Sequence, residues 1–181
     1  RIAAAGIPMH ITQRGHNRSD TFLDEFDRAL YLGFLLEASR RERCAIHAYV
    51  LMSNHTHLLV TPSTATGASR MMQHLGRRYV RSFNQRHHRS GTLWEDRFHS
   101  SIVDSSAYLL ACSRYIDLNP VRAFMVQQPD EHEWSSYARL GLGRPDDLIT
   151  PHPEYLALGN SPAAQQREYG EGGDGEHHGG K

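Results

Sequence analysis

Residues 7–14 alternate Ile7, Met9 and Ile11 with Pro8, His10 and Thr12, the period-two pattern of a strand with one buried face. Gly15, His16 and Asn17 follow as turn material. Over 24–43 the pattern becomes helical. Asp24, Glu25 and Asp27 fill the first turn and Arg40, Arg41 and Arg43 the last, each sign suiting the helix dipole. Phe26, Leu30 and Phe34, with Leu35 and Ala38, are the expected core stripe. Residues 45–52 and 56–61 read as strands joined by a tight turn at Ser53 and Asn54, hence an antiparallel pair, the second stopped by Pro62. Residues 68–86 predict a helix with Met72, Leu75, Tyr79 and Phe83 on one stripe. A strand over 95–103 and a helix over 105–118 follow, with Ser105 near the helix start and Pro120 beyond its end.

The order β-α-β-β-α-β-α predicts an α+β fold of the ferredoxin-like (RRM-like) type: an antiparallel four-stranded sheet with helices packed on it. Residues 124–160, with turn signals at Gly141, Gly143, Pro145, Pro151 and Pro153, read as an extension packed on that domain. Six of the last twelve residues are glycine, so 161–181 are expected to be a disordered tail.

Composition narrows the class. An apolar share of 39% and a charged share of 22% suit a globular domain. The longest apolar run, 107–112, is far short of the roughly 20 residues of a membrane helix. No signal-peptide pattern opens the chain, and Cys44 and Cys112 lack close neighbours, which argues against a Cys-type zinc ribbon and a disulfide framework. The expectation is a cytoplasmic, nucleoid-associated protein with no membrane partner. Of the 20 Lys+Arg only Lys181 is lysine, which removes P-loop, Schiff-base and nucleotide-adduct lysine chemistry.

Charge changes the picture more than composition does. The net charge is zero, yet residues 1–103 carry 14 Arg against 8 acidic residues and residues 104–181 carry 6 basic against 12 acidic. From Ser63 to Trp94 there is no acidic residue, while Arg70, Arg77, Arg78, Arg81, Arg86 and Arg89 fall in that stretch. Unopposed arginines repel one another unless an anion is expected, and guanidinium suits phosphate. Tyr79, Phe83 and Trp94, interleaved with them, are assigned to the core. The acidic residues Asp130, Glu131, Glu133, Asp146 and Asp147 raise a second idea, that the C-terminal part folds back on the basic body and limits access to it.

Two short motifs carry chemistry. His55 and His57 flank Thr56 at the entry to the third strand, so both imidazoles point to one face and can share a divalent ion. Tyr115 and Asn119, four apart, lie on one helical face. Pro120 is expected to stop the helix there, leaving the Asn119 oxygen free to reach a metal. Two histidines and an amide oxygen leave open positions on the ion, as catalysis requires. A tyrosine is about one part in a thousand phenolate at pH 7, a handicap that a metal-polarised phosphodiester and a cationic site reduce.

The stretches 49–60 (YVLMSNHTHLLV) and 114–123 (RYIDLNPVRA), with 91–98 (GTLWEDRF) and 9–15 (MHITQRG), resemble the REP-associated tyrosine transposases. These are single-tyrosine HUH enzymes, relatives of insertion-sequence transposases that act on single-stranded DNA. The resemblance covers roughly 7–158 and makes 1–123 the catalytic domain. It implies Tyr115 as the nucleophile forming a 5′-phosphotyrosine, His55, His57 and Asn119 as metal ligands, and Mg2+ or Mn2+ as the cofactor. It also implies hairpins of repetitive extragenic palindromes with a flanking tetranucleotide as partners. Thr56 departs from the bulky hydrophobe usual between the histidines, so looser packing beneath the site is expected. Related insertion-sequence enzymes exchange tyrosine helices in dimers; the long extension here favours a monomer. Arg14, Arg18, Arg70, Arg77, Arg78, Arg81 and Arg97 are the expected DNA-binding residues. The competing reading is a hairpin DNA or RNA binder on the same fold that does not cut. A small-substrate metallohydrolase lacks support, since Ser136 stands where an H-E-x-x-H motif begun at His132 would need histidine, and no G-x-S-x-G occurs.

Overall fold

The structure is a computed structural model and describes residues 4–174. Its strands are β1 (Met9–Arg14), β2 (Cys44–Leu51), β3 (His55–Pro62) and β4 (His99–Ile102). The helices are α1 (Glu25–Arg41), α2 (Gly67–Arg86), α3 (Ser106–Arg122), α4 (Tyr137–Leu140), α5 (Pro153–Leu156) and α6 (Pro162–Asp174). The strands form one antiparallel sheet in the order β2-β3-β1-β4, the ferredoxin-like arrangement expected from the element order.

Strand alternation sorts the helices onto two faces. Thr56 points down to the Tyr31 hydroxyl of α1, 3.4 Å away, and its neighbour His57 points up to Tyr115 of α3, their rings 5.9 Å apart. Thr56 is buried, and the aromatic cluster of Phe22, Tyr31, Tyr79 and Trp94 fills the space below it. The small residue between the histidines therefore costs no packing.

Several expectations are corrected. The core stripe of α1 is Asp27, Tyr31, Leu35 and Ala38, while Phe26 is exposed under the Arg86 guanidinium and Phe34 lies under that of Arg78. Asp27 is buried because it is a clamp: it accepts from Leu23 N and His87 Nε2, both at 2.9 Å, and from Arg86 of α2. The fourth strand is shorter than expected, because Asp96 Oδ1 takes the Arg97 N–H locally at 2.7 Å and competes with the ladder. Pro120 does not stop α3. It forgoes only its own N–H bond, and the helix runs on through Ala123 N–H to Asn119 O at 2.9 Å, ending at Phe124 with φ of 58°.

The C-terminal part is built into the molecule. Trp134 O and Tyr49 O bond across the edge strand β2, to Leu51 N and Ser136 N respectively, each at 2.9 Å, and Ile149 bridges Ile46. An open sheet edge is thereby covered. The expected disordered tail is corrected over 162–174, which form α6 with Tyr169 buried; residues 175–181 lie outside the described residues. None of Asp130, Glu131, Glu133, Asp146 and Asp147 makes an ion pair with an arginine among the described residues. Asp146 instead accepts from the Tyr49 hydroxyl at 2.8 Å.

His47 sits at the register shift of β2 between Ile46 and Ala48. A bulge re-aims its side chain, here onto Thr61 Oγ1 and Thr150 O, each 2.8 Å away. Burial lowers its pKa from 6.5 to about 4. The unfolded chain therefore binds the extra proton across that window; the stabilisation is full above pH 6.5 and is lost as pH falls towards 4. His47→Gln is expected to lose less unfolding free energy than wild type on acidification, by about 2 kcal/mol between neutral pH and about pH 5, measured by urea unfolding at each pH.

Candidate active site

Register builds the site. Across the β1–β3 ladder Thr12 faces His57 and Arg14 faces His55, and paired residues project from the same side. His10, Thr12, Arg14, His55 and His57 thus share one face. Tyr115 of α3 closes over it edge-on, its ring 5.9 Å from His57 and 6.2 Å from His10. The rings of His55 and His57 stand 5.1 Å apart at 78°.

Hydrogen bonds decide which ring nitrogens are open. Asn54 Nδ2 donates to Arg18 O at 3.1 Å, so Asn54 Oδ1 is the atom 2.7 Å from His55 Nδ1. An amide oxygen only accepts; His55 Nδ1 therefore carries the proton and Nε2 keeps its lone pair. His57 Nδ1 lies 2.9 Å from His10 Nε2, which leaves His57 Nε2 open. Burial lowers the pKa of all three imidazoles, that of His57 to about 3, where the charges of His10, His55 and Arg14 add to the effect. They are neutral at pH 7, the form that ligates metal.

The donor set fits a divalent cation. Two neutral imidazoles each offer one nitrogen. Asn119 lies one turn beyond Tyr115 on α3, its Nδ2 buried and without an acceptor; turned about its last torsion the amide would offer oxygen, but no hydrogen bond among the described residues joins it to His55 or His57. Mixed nitrogen and oxygen donors suit Mn2+ better than Mg2+, which favours oxygen alone. A second cluster, Asp24, Asp27 and His87, has ligand atoms within 4.8 Å of one another. Arg86 already bonds both of its carboxylates, so that cluster is a neutralised clamp between α1 and α2.

The basic residues divide between the faces. Arg14 flanks His55 in the ladder, and Arg18 contributes the carbonyl that orients Asn54. The turn carrying Arg18 demands glycine at 15, where a Cβ would lie 2.2 Å from Ser19 O. Arg70, Arg77 and Arg81, two turns and then one turn apart, lie on the solvent side of α2, opposite its buried stripe. Arg70 and Arg97 also line a cavity of about 720 Å3 with Gln13. Arg78 is engaged by Glu37 and Phe34. Sequence reasoning missed His10, Asn54 and Arg122, whose guanidinium lies 4.9 Å from the Tyr115 ring centre. Period-two alternation put His10 on a polar face, but only register brought it to His57.

The family model described as "Transposase IS200 like" matches residues 4–119. The chain belongs to the IS200-like transposase family. The matched span ends at Asn119 and includes both histidines and Tyr115. In fold this transposase is similar to a REP-associated tyrosine transposase solved bound to a REP hairpin, with a TM-score of 0.66, 19% identity, and coverage of 84% of this chain and 90% of that one. It also matches a putative transposase from Deinococcus radiodurans at a TM-score of 0.45 and 19% identity, covering 59% and 86% of the two chains. No curated protein matches it. No helix among the described residues is long and apolar enough to cross a membrane.

Asn54 gives the site a test separate from activity. Asn54→Ala frees the His55 ring to turn and to change tautomer, and loss of such an orienting group costs about 10- to 100-fold in metal affinity. Titration calorimetry with Mn2+ is expected to show that loss, with the unfolding midpoint little changed.

Proposed function

We propose that this transposase is a metal-dependent single-strand DNA endonuclease and strand transferase. Its substrate is a REP-like hairpin with a flanking tetranucleotide, and its intermediate is a 5′-phosphotyrosine on Tyr115. The observation that carries the reading is the packing of the Tyr115 ring against His57 and His10 within one chain. The hairpin is proposed because a protein of similar fold was solved with one.

Tyr115 Oη attacks the scissile phosphorus, a bond forms between them, and the phosphorus–O3′ bond breaks. The phenol gives up one proton and the departing 3′ oxygen takes one, so bonds and protons balance without ATP. His55, His57 and Asn119 would hold Mn2+ or Mg2+, which when bound would supply polarisation of the phosphate and charge neutralisation. Arg14 and Arg122 bring guanidinium to phosphates on either side of the bond, and Tyr115 is oriented by the imidazoles it packs on. Arg18, Arg70, Arg77, Arg81 and Arg97 contact the hairpin backbone. Arg78, whose charge is offset by Glu37, is left out of these contacts.

The reaction is tested on a denaturing gel with a REP-type hairpin oligonucleotide and Mn2+. Wild type is expected to give a covalent protein–DNA band, and Tyr115→Phe to lose it while binding the hairpin within about twofold of wild type. No band from wild type favours the non-cutting binder.

A single chain supplies both histidines and the tyrosine. Arg114 of α3 donates to Tyr169 O and Glu168 O of α6, each at 3.1 Å, so α3 is fastened to its own extension. A monomer is expected in light scattering across the micromolar range. A concentration-dependent dimer with activity restored by mixing Tyr115→Phe and His57→Ala chains would show exchange of α3.

A further inference from the structure

Seven residues before the nucleophile, on the same stripe of α3, stands a second tyrosine. Tyr108 and Tyr115 are two helical turns, about 10 Å, apart along the axis. Between them lie Ala111 and Cys112, whose small side chains leave a notch. His10 of β1 forms its far wall, and the volume is about 380 Å3, ample for one planar base. Tyr108 is 52% exposed and is carried on a helix capped by Ser105 Oγ, which accepts the Tyr108 N–H at 3.2 Å. Its ring stands beside the nucleophile on the same wall of the notch.

The lining says what belongs there. It holds no arginine and no carboxylate, so nothing in it attracts a phosphate or repels a polyanion. The cations lie elsewhere: Arg122 is two turns beyond Tyr115 in the opposite direction and stacks on its ring, and Arg14 is beside His55. Along α3 the chemistry is graded from aromatic and uncharged at Tyr108, through the nucleophile, to cationic at Arg122. A strand whose scissile phosphate sits at Tyr115 has phosphates to place at the cationic end and a base to place at the uncharged one.

We propose that this notch is a subsite for the nucleobase adjoining the scissile phosphate, which stacks on Tyr108. The assignment rests on the phosphotyrosine reading above and names the part of the substrate that is held next to the cut. Base–aromatic stacking tolerates any base, so Tyr108 sets the position of the strand more than its sequence.

The test uses the full chain, a hairpin oligonucleotide with Mn2+, and two further oligonucleotides, each with an abasic residue on one side of the scissile bond. The rate of covalent adduct formation is measured against DNA concentration. Tyr108→Ala is expected to lower kcat/KM about 10-fold on intact DNA, with Tyr108→Phe and Tyr108→Trp within about twofold of wild type. With the abasic residue on one particular side, wild type is expected to fall to the level of Tyr108→Ala, and Tyr108→Ala to fall no further. Ala111→Leu, which fills the notch, is expected to show the same loss and the same indifference to that abasic residue. An undiminished Tyr108→Ala, or an equal Tyr108→Ala penalty on all three oligonucleotides, overturns the subsite and leaves the phosphotyrosine reading intact. Absence of any adduct from wild type on intact DNA overturns both.

Discussion

The arrangement at Tyr115 depends on one buried carboxyl two residues further along the same helix. Asp117 is wholly buried and accepts from the Ser136 hydroxyl on one oxygen and from the Tyr169 hydroxyl, at 2.7 Å, on the other. Burial raises its pKa to about 7, against the lowering effect of those two bonds. Ser136 is itself bonded to the edge strand β2, its Oγ taking the Tyr49 N–H at 3.1 Å. Tyr169 is bonded to Ser113 one turn back on α3, at 2.8 Å. A buried carboxyl with both oxygens satisfied fixes direction as well as distance. The helix that carries Tyr115 is thus held at a set height and rotation over the strands that carry the histidines.

That anchoring gives the extension a role that its irregular sequence conceals. It covers the open edge of β2, supplies Ser136 and Tyr169 to the Asp117 bonds, and receives Arg114 through two backbone carbonyls. An α3 held so firmly to its own extension presents its tyrosine to its own sheet. The left-handed conformation of Phe124 marks the point where the chain turns away from α3 to begin this wrapping.

Electrostatically the site is organised around neutrality. His10, His55 and His57 are kept uncharged by burial, with Arg14 adding to the effect at His55, and His10, His55 and Arg14 at His57; hydrogen bonds at Nδ1 leave Nε2 open on both His55 and His57. Positive charge is supplied from the rim by Arg14 and Arg122, residues that cannot lose it. An uncharged ligand floor with a cationic rim suits a cation that is completed by substrate oxygens. A carboxylate-lined pocket would bind the cation more tightly and repel the DNA.

Much of this was legible in the sequence because it rests on local periodicity. Alternation of period two and stripes of period 3.6 gave the strands, the helices and their order, and the i, i+2 histidines and i, i+4 tyrosine and asparagine each had to share a face. Local pattern misled where a long-range partner outweighed it. Phe26 looked like core but is exposed under the Arg86 guanidinium from α2, Asp27 looked like a first-turn charge facing the dipole but is a buried clamp, and Pro120 sits inside a helix stabilised by its packing. The register that brings His10 to His57, the Asn54 bond that selects the His55 tautomer, and the Tyr169 contact that orders α6 were decided only by the tertiary structure. The His10–His57 and Tyr169–Asp117 contacts join residues tens of positions apart, and the Asn54 amide is oriented by the Arg18 carbonyl, 36 positions away; no chain-local energy distinguishes those pairings from the alternatives.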